Sequence, residues 1–516
     1  MTGSTRALQP GPAMGWSLLD IVEALGCAVY GPVGDDAELH ALAPLHVTID
    51  TRDVRAGSIF VALQGSRSHG LQFAGEAFDR GALAVLAGTD LDLDDAAWER
   101  LVGGAAERGP LLVASDCDGV TALGRLARAW RRRSPWRVVG ITGSSGKTST
   151  KDILRALLDQ SGRAVVASHA NWNNEIGVPL TLLEARDSTD VVICEMGMRG
   201  PGQIDYLCDI ADPDIGVVTT AGLAHLELLG SEQAIVDAKA ELLAGTWRGG
   251  VGVFPGMQAH LVEAAVRTPD RLLPFGMGAD EADSSAVLVT HVERTDVGIA
   301  GRIDLMGAEL PFALPIHGVH QARNLAAAAA VLVTLTGSAS LLPDDAFVVG
   351  VEQAHLFTPG RGDRHRLPQG GLVIDDAYNA SPESMDAALA ELAATGSAGR
   401  RIAVLGRMAE LGPLGIDLHR TVGANAAAAA AIDQLVVVGS GVDVEALADG
   451  WNAARADAAA LRFDSIAEAV GHLIEWVHAD DVVLVKASKS SGLGELAGAL
   501  AEELRIAARS GGGVDA

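Results

Sequence analysis

Trp136-Arg-Val-Val-Gly-Ile-Thr-Gly-Ser-Ser-Gly-Lys-Thr-Ser-Thr-Lys151 is the stretch on which the fold reading turns. Its apolar start, Trp136–Val139, reads as a strand, and Lys151–Leu158 reads as a helical run. Between them, glycines let consecutive backbone N–H groups face one anion, and a helix N-terminus adds positive potential there. Gly143, Ser144, Ser145, Gly146, Lys147, Thr148 and Ser149 therefore form a candidate phosphate loop. In such a loop Lys147 reaches the β- and γ-phosphates of ATP, and the Thr148 hydroxyl binds Mg²⁺. The strict pattern places glycine six residues before the lysine. Here that position is Ile141, and glycines stand at 140 and 143 instead, so the loop is a variant. The bland alternative is a glycine-rich strand–helix turn with no ligand.

Outward from this loop, strand and helix signals alternate. Short β-rich runs at Arg137–Ile141, Val191–Cys194, Ile215–Thr219, Leu372–Ile374, Arg401–Leu405, Gln434–Val438 and Val482–Val485 are separated by Ala/Leu-rich helical stretches. That alternation predicts α/β domains with mainly parallel sheets. The 516 residues suggest three domains at about 150 residues each. The proposed divisions are 1–116, 117–338 and 339–516, the second entered by a helix with a basic end, Ala122–Arg133. The first residues and Ser510–Ala516 are expected to be disordered. Ala426–Ala431 is low-complexity and reads as helix.

Hydrophobic residues make up 48% of the chain and aromatics only 4%, so the cores should rest on Ala, Val and Leu. Formal charge is 39 − 66 = −27, which argues against a nucleic-acid or anionic-membrane surface. It leaves room for an anionic small ligand, because local amides, a few cations and Mg²⁺ overrule the mean field inside a cleft. Cys27, Cys117, Cys194 and Cys208 are scattered, with no CxxC pair, and read as reduced, buried thiols of a cytoplasmic protein. Met1–Gly15 lacks a basic start and an apolar run, so no signal peptide is expected. Leu325–Pro343 carries no charge, but its strongly apolar part ends at Leu335, and a buried core helix is expected rather than a membrane span.

Other candidates are ambiguous one at a time. Glu195 follows the strand Val191–Cys194 and is either a Mg²⁺ ligand or an ordinary strand-end acid. His225, after Thr219-Thr-Ala-Gly-Leu-Ala, is either a metal ligand or a solvated loop histidine. Lys239, on a helix spanning 232–244, reads by itself as a solvated charge.

Taken together and in order, Gly140-Ile-Thr-Gly-Ser-Ser-Gly-Lys-Thr148, Glu195-Met-Gly-Met198, Ala224-His-Leu-Glu227 and Ala238-Lys-Ala-Glu241 resemble the Mur ligase family. Three further stretches resemble the branch of that family that adds D-alanyl-D-alanine. They are Asn171-Trp-Asn-Asn-Glu-Ile-Gly-Val-Pro-Leu-Thr-Leu-Leu183, Asp375-Asp-Ala-Tyr-Asn-Ala-Ser-Pro-Glu-Ser-Met385, and Val404-Leu-Gly-Arg-Met-Ala-Glu-Leu-Gly412 with His419 after it. The likeness runs from about residue 50 to residue 488.

No oligomer signature stands in the sequence and a monomer is expected; the resemblance implies an ATP- and Mg²⁺-dependent ligase. It would join D-alanyl-D-alanine to UDP-N-acetylmuramoyl-tripeptide through an acyl phosphate. It further implies that Lys147 and Thr148 serve the nucleotide and its metal, and that Glu195 and His225 are magnesium ligands. Lys239 would be carbamylated and hold a second Mg²⁺. Asn324 would lie near adenine, and Arg361 and Asp376 would close over nucleotide and stem peptide with Tyr378 and Asn379 beside them. Asp50, Thr51 and Arg52, with Phe60-Val-Ala-Leu-Gln-Gly65, resemble the UDP-binding part, and Asn173 and Asn174 would meet substrate. Departures from the family pattern stand at His69, Leu71, Thr220, Gln321, Arg407 and Ala487. The rival readings are a sibling ligase with another amine (the diaminopimelate- or lysine-adding enzyme, or a folylpolyglutamate synthetase), a non-catalytic nucleotide-binding scaffold, and a P-loop ATPase motor.

Overall fold

The structure, a computed structural model, describes residues 15–33, 35–89, 95–222, 226–246, 249–367, 370–455 and 458–511. Three sheets organise it. The first holds β1 (Ala28–Tyr30), β2 (His46–Thr48), β3 (Ser58–Ala62), β4 (Ala82–Gly88) and β5 (Leu111–Ala114) in the order β1-β5-β4-β3-β2. Only the β1–β5 pair is antiparallel.

The second sheet contains β6 (Arg137–Thr142), β7 (Val165–Ala167), β8 (Val191–Glu195), β9 (Ile215–Val218), β10 (Val251–Pro255), β11 (Arg271–Met277), β12 (Val287–Arg294), β13 (Ile299–Leu305), β14 (Ala308–Leu314) and β15 (Phe347–Val348). Its order is β15-β14-β13-β12-β11-β10-β9-β6-β8-β7. The third holds β16 (Asp363–Arg366), β17 (Leu372–Asp375), β18 (Arg401–Leu405), β19 (Gln434–Val438), β20 (Leu461–Phe463) and β21 (Val482–Lys486) in the order β16-β17-β21-β18-β19-β20. Apart from β16, this sheet is parallel.

The expected α/β class holds, and the seven β-rich runs named from the sequence are each present as a strand within one residue at either end. The antiparallel run β12–β13–β14 was not anticipated. Its strands are interrupted by exposed charged residues, such as Glu293, Arg302 and Glu309, so they lack the continuous apolar run that marks buried parallel strands. Two helical expectations shift. The helix through Ala426 stops at Ala428, with Ala429 extended. The last helix runs Leu493–Gly511, two residues into the stretch expected to be disordered, and the rest of that stretch lies outside the described residues.

The chain packs as two compact units. One comprises Met1–Gly140, Gly162–Gly197 and Ile204–Gly216, and the other Ile141–Ser161, Met198–Gln203 and Val217–Ala516. In the first, the helix Gly119–Arg133 starts on Asp118, whose carboxylate accepts the Thr121 N–H at 2.7 Å. Its last turn is basic, which suits the negative end of the helix dipole. There Arg131 donates to the carbonyls of Ala211, Asp212 and Trp136 and to the Asp214 carboxylate.

In the second unit, the helix Gln321–Thr336 buries Ala326–Val331 completely. It is the core helix expected from the uncharged stretch at Leu325, and no helix among the described residues is long and apolar enough to cross a membrane. Small side chains let neighbouring elements approach it closely. The four cysteines are free thiols; Cys194 and Cys208 are buried as expected, but Cys27 and Cys117 are only half-buried.

The alanine stripe predicts intolerance of bulk. Ala328→Leu should lower the chain's stability by about 1–3 kcal/mol, the usual cost of overpacking. Urea denaturation followed by circular dichroism measures this, and an unshifted midpoint would show slack where the structure has none.

Candidate active site

The phosphate loop is built in the second unit around two glycines that cannot be anything else. Gly143 and Gly146 have φ of +149° and +82°. A Cβ on Gly143 would fall on the Thr219 hydroxyl, and one on Gly146 would fall on the Asn324 side-chain oxygen. Their bareness lets the loop lie flat against the segment after β9, to which it is laced. The Ser144 N–H donates to Thr220 O at 2.9 Å, the Ser144 hydroxyl to Gly222 O at 2.8 Å, and the Ser145 N–H to Thr220 Oγ1 at 3.1 Å. Thr219 Oγ1 donates back to Ser145 O at 2.5 Å. Thr220, a departure from the family pattern, thus holds the loop with its hydroxyl.

The helix begins earlier than the sequence suggests. It spans Lys147–Gln160, with Gly146 as N-cap and no side chain capping its first turn. That leaves the turn's amide donors for an anion. Lys147 Nζ is folded into the loop, donating to Gly143 O at 2.5 Å. Thr148 is 2% exposed, and its hydroxyl accepts from Arg361 at 2.9 Å.

Arg361 stacks over the Tyr378 ring at 4.3 Å, and its buried Nε has no hydrogen-bond partner among the described residues. Beside Tyr378, Lys486 Nζ binds the Asp376 carboxylate at 2.7 Å and Asn379 O at 3.0 Å, fixing the Asp376–Asn379 turn. The helix that follows is set by Ser381, which forms a capping box with Ser384 ahead of Pro382. Asn324 is oriented by Gln321, whose Oε1 accepts from Nδ2 at 2.8 Å. Gln321, where the family pattern has asparagine, therefore serves as the orienting acceptor. Ser149, Asp152, His317, Gln321, Thr358 and Arg361 are among the residues lining a cavity of about 210 Å³ here.

Lys239 is 1% exposed on the helix Glu232–Gly245. Burial pushes its amine well below the ordinary lysine range, and the Lys147 charge adds to the effect. It is thus not the solvated surface charge that its helical position alone suggests.

Within the first unit, Glu195 is 3% exposed at the end of β8, and its Oε1 accepts from Asn173 Nδ2 at 3.1 Å. The Glu195 N–H donates to Ser168 Oγ at 3.1 Å, and the Gly197 N–H donates to Asn173 O at 2.7 Å. Asn174 has a local task, its side-chain oxygen accepting the Gly177 N–H at 3.0 Å. Asp50 caps the turn Thr51–Asp53 and grips Arg52, and that hydrogen bond pulls its carboxyl down to about 2. Arg52 is 82% exposed.

His69 is buried, with Nδ1 accepting the Leu71 N–H at 3.1 Å and its ring edge-on to Trp98. Arg407 pairs with Asp443 at 3.1 Å. His225 lies outside the described residues.

The second unit therefore gathers Lys147, Thr148, Arg361, Tyr378 and Asn324 at one helix start, with Lys239 close enough to feel the Lys147 charge. The first unit holds Glu195 with Asn173, and separately Asp50 with Arg52. Thr219, Asp152 and Lys486 escaped the sequence reading. Each is a polar residue whose partner lies far along the chain, and only the position of Thr219 and Lys486 at strand ends marks them.

A strand leading into an anion-binding glycine turn at an uncapped helix start, met by an arginine from much later in the chain, defines a P-loop type of nucleotide-binding protein, and comparison with known proteins agrees. The Mur ligase middle domain matches residues 141–332, and the Mur ligase glutamate ligase domain matches residues 360–489. The chain belongs to the Mur ligase family.

Within the family its branch is that of the UDP-N-acetylmuramoyl-tripeptide–D-alanyl-D-alanine ligases. The Synechocystis sp. protein of that name is 36% identical, over 89% of this chain and 92% of its own length. The MurF ligase of Thermotoga maritima, solved in complex with ADP, superposes with a TM-score of 0.71 at 27% identity, covering 90% of this chain and 98% of that one. MurF from Acinetobacter baumannii shares the fold, with a TM-score of 0.76 at 24% identity over 95% of this chain and all of the other.

Two predictions follow from the geometry. Gly146→Ala puts a side chain at positive φ and into Asn324, so ATP binding by calorimetry should fall at least about tenfold, the scale of one lost oriented contact. Wild-type affinity would show that the cradle has room.

Lys239→Met tests the buried amine in CO₂-depleted buffer. The amine is neutral when folded and charged when unfolded, between its depressed value and the ordinary lysine range. Wild-type stability in that interval should therefore rise with pH by about 1.4 kcal/mol per unit for this one group. The variant should lose that slope and gain most over wild type at the low-pH end. Parallel stability–pH curves would show a protonated, solvated lysine.

Proposed function

We propose that the chain condenses the terminal carboxylate of UDP-N-acetylmuramoyl-tripeptide with the amine of D-alanyl-D-alanine in the cytoplasm, consuming ATP. The carrying observation is the bare glycine turn with Lys147 folded into it and Thr148 bridged to Arg361. The carboxylate oxygen attacks the γ-phosphorus, ADP departs, and an acyl phosphate forms. The amine then attacks the acyl carbon, the C–O bond to phosphate breaks, and amide and inorganic phosphate remain.

Lys147 leaves Gly143 O for the β- and γ-phosphate oxygens and offsets their charge against the incoming carboxylate. Ser144–Ser149 supply backbone donors, Asn324 lies by the base, and Arg361 follows the phosphates from the Thr148 side. Asp376, Tyr378 and Asn379, braced by Lys486, flank the amine and stem peptide. Asp50, Thr51, Arg52 and Asn173 belong to the UDP-sugar and peptide side, with Asn174 shaping that segment. In this reading residues 1–116, 117–338 and 339–516 are the UDP-binding, ATP-binding and closing domains.

The donor set suits Mg²⁺, a hard cation that takes oxygen ligands. The buried Thr148 hydroxyl, the buried Glu195 carboxylate, His225 and a carbamylated Lys239 would hold it. The depressed amine of Lys239 fits that modification, since CO₂ adds only to a neutral amine. Bound magnesium neutralises phosphate charge that otherwise repels the nucleophile.

Phosphate release with UDP-linked tripeptide and D-alanyl-D-alanine, each omitted in turn, tests the reading. Release should require both substrates, and Lys147→Ala should slow it at least about a hundredfold. Release with another amine in place of the dipeptide, or near-normal turnover in the variant, would contradict it.

A further inference from the structure

The phosphate-loop helix carries a second polar feature, one turn after Thr148. Lys151 and Asp152 are 3% and 2% exposed, and their side chains pair at 2.7 Å. Burying an ion pair rarely stabilises a fold more than apolar packing would, so its presence needs another reason. Asp152 supplies one, because its other oxygen accepts the Thr358 N–H at 2.8 Å.

Thr358 belongs to the segment that delivers Arg361, and this segment runs antiparallel to the helix with one contact per turn. Gln353 Nε2 donates to Ala156 O at 3.3 Å, the Thr358 N–H to Asp152, and Arg361 to Thr148. Positions 148, 152 and 156 share one helix face. Beyond Arg361 the strap is tied to the third sheet, where the Gly362 N–H donates to Asp375 O at 2.8 Å and the Tyr378 N–H to Gly360 O at 3.1 Å. Among these ties only the Asp152 bond is charge-assisted onto a buried carboxylate, the stronger kind. Lys151 holds that carboxylate in place.

We propose that Asp152, braced by Lys151, is a positioning residue for the ligase reaction: it pins Thr358 to the helix and so sets where Arg361 meets Thr148 and the nucleotide phosphates. The proposal rests on Arg361 serving the phosphates.

The test uses the full chain and measures kcat and KM for ATP beside thermal melting. Arg361→Ala is the reference. Lys151→Met/Asp152→Leu removes the pair without stranding a charge, and Lys151→Met/Asp152→Asn keeps an uncharged acceptor for the Thr358 N–H. The leucine variant should melt as a folded protein yet lose roughly 10- to 100-fold in kcat/KM for ATP, the scale of a misplaced catalytic group. The asparagine variant should recover most of that loss. Added to Arg361→Ala, the leucine pair should cost nothing further.

Wild-type turnover in the leucine variant would overturn the proposal. So would additive losses with Arg361→Ala, or a folded asparagine variant that fails to recover, which would mean that the charge acts on the ligand directly. Should the leucine variant not fold, Thr358→Pro deletes the same bond from the strap side and takes its place. If Arg361→Ala alone leaves turnover intact, the assignment of Arg361 has failed, a result separate from failure of the Asp152 tie.

Discussion

The second unit depends on two missing side chains. Gly143 and Gly146 let the turn after β6 rest on Thr219 and beneath Asn324, and polar bonds from Ser144 and Ser145 to residues 219–222 then fix it there. Once the turn is fixed, the helix Lys147–Gln160 must start with its amides uncapped and Lys147 beside them. Thr148, Asp152 and Ala156 then face the strap that carries Arg361. Strand, turn, helix and strap are one chain of constraint, with the anion site as its first link.

This arrangement shows how an acidic protein makes a site for polyanions. The formal charge of −27 governs long-range behaviour, where solvent screens it. Within the cradle the nearest groups are backbone donors, Lys147 and Arg361. They are held by hydrogen bonds in partly buried surroundings, where short-range interactions are screened least. The same burial that strengthens these contacts makes a second ammonium at Lys239 costly, which is why that amine is driven towards its neutral form. An amine so shifted beside Lys147 gives the two residues different chemistry within one cluster.

Much of the architecture was legible in the sequence where the signal is local. The β6 strand, its turn and the alanine-rich helix from Gln321 announce themselves through apolar runs and glycine spacing. The antiparallel run β12–β14 does not, because exposed charged residues such as Glu293, Arg302 and Glu309 interrupt it and make it resemble loop. At the site, Lys147 and Thr148 were readable from the turn itself, whereas Arg361, Asp376 and Asn324 entered only through family resemblance, since no local pattern ties them to residue 148. Thr219, Asp152 and Lys486 were missed because their meaning is a partner 70 to 200 residues away, which periodicity cannot report. His69 and Gln321 departed from the family pattern. The structure gives one to local packing and the other to orienting Asn324.

The account's central claim is that the cradle presents a phosphoryl group to a carboxylate, and oxygen bookkeeping tests that directly. UDP-linked tripeptide labelled with ¹⁸O in its terminal carboxylate is turned over with D-alanyl-D-alanine, and the released inorganic phosphate is analysed by mass. Transfer through an acyl phosphate leaves one carboxylate oxygen in the phosphate, so the product should carry the label. Unlabelled phosphate from labelled substrate would mean that the γ-phosphoryl goes to water, and the proposed ligase chemistry would be wrong.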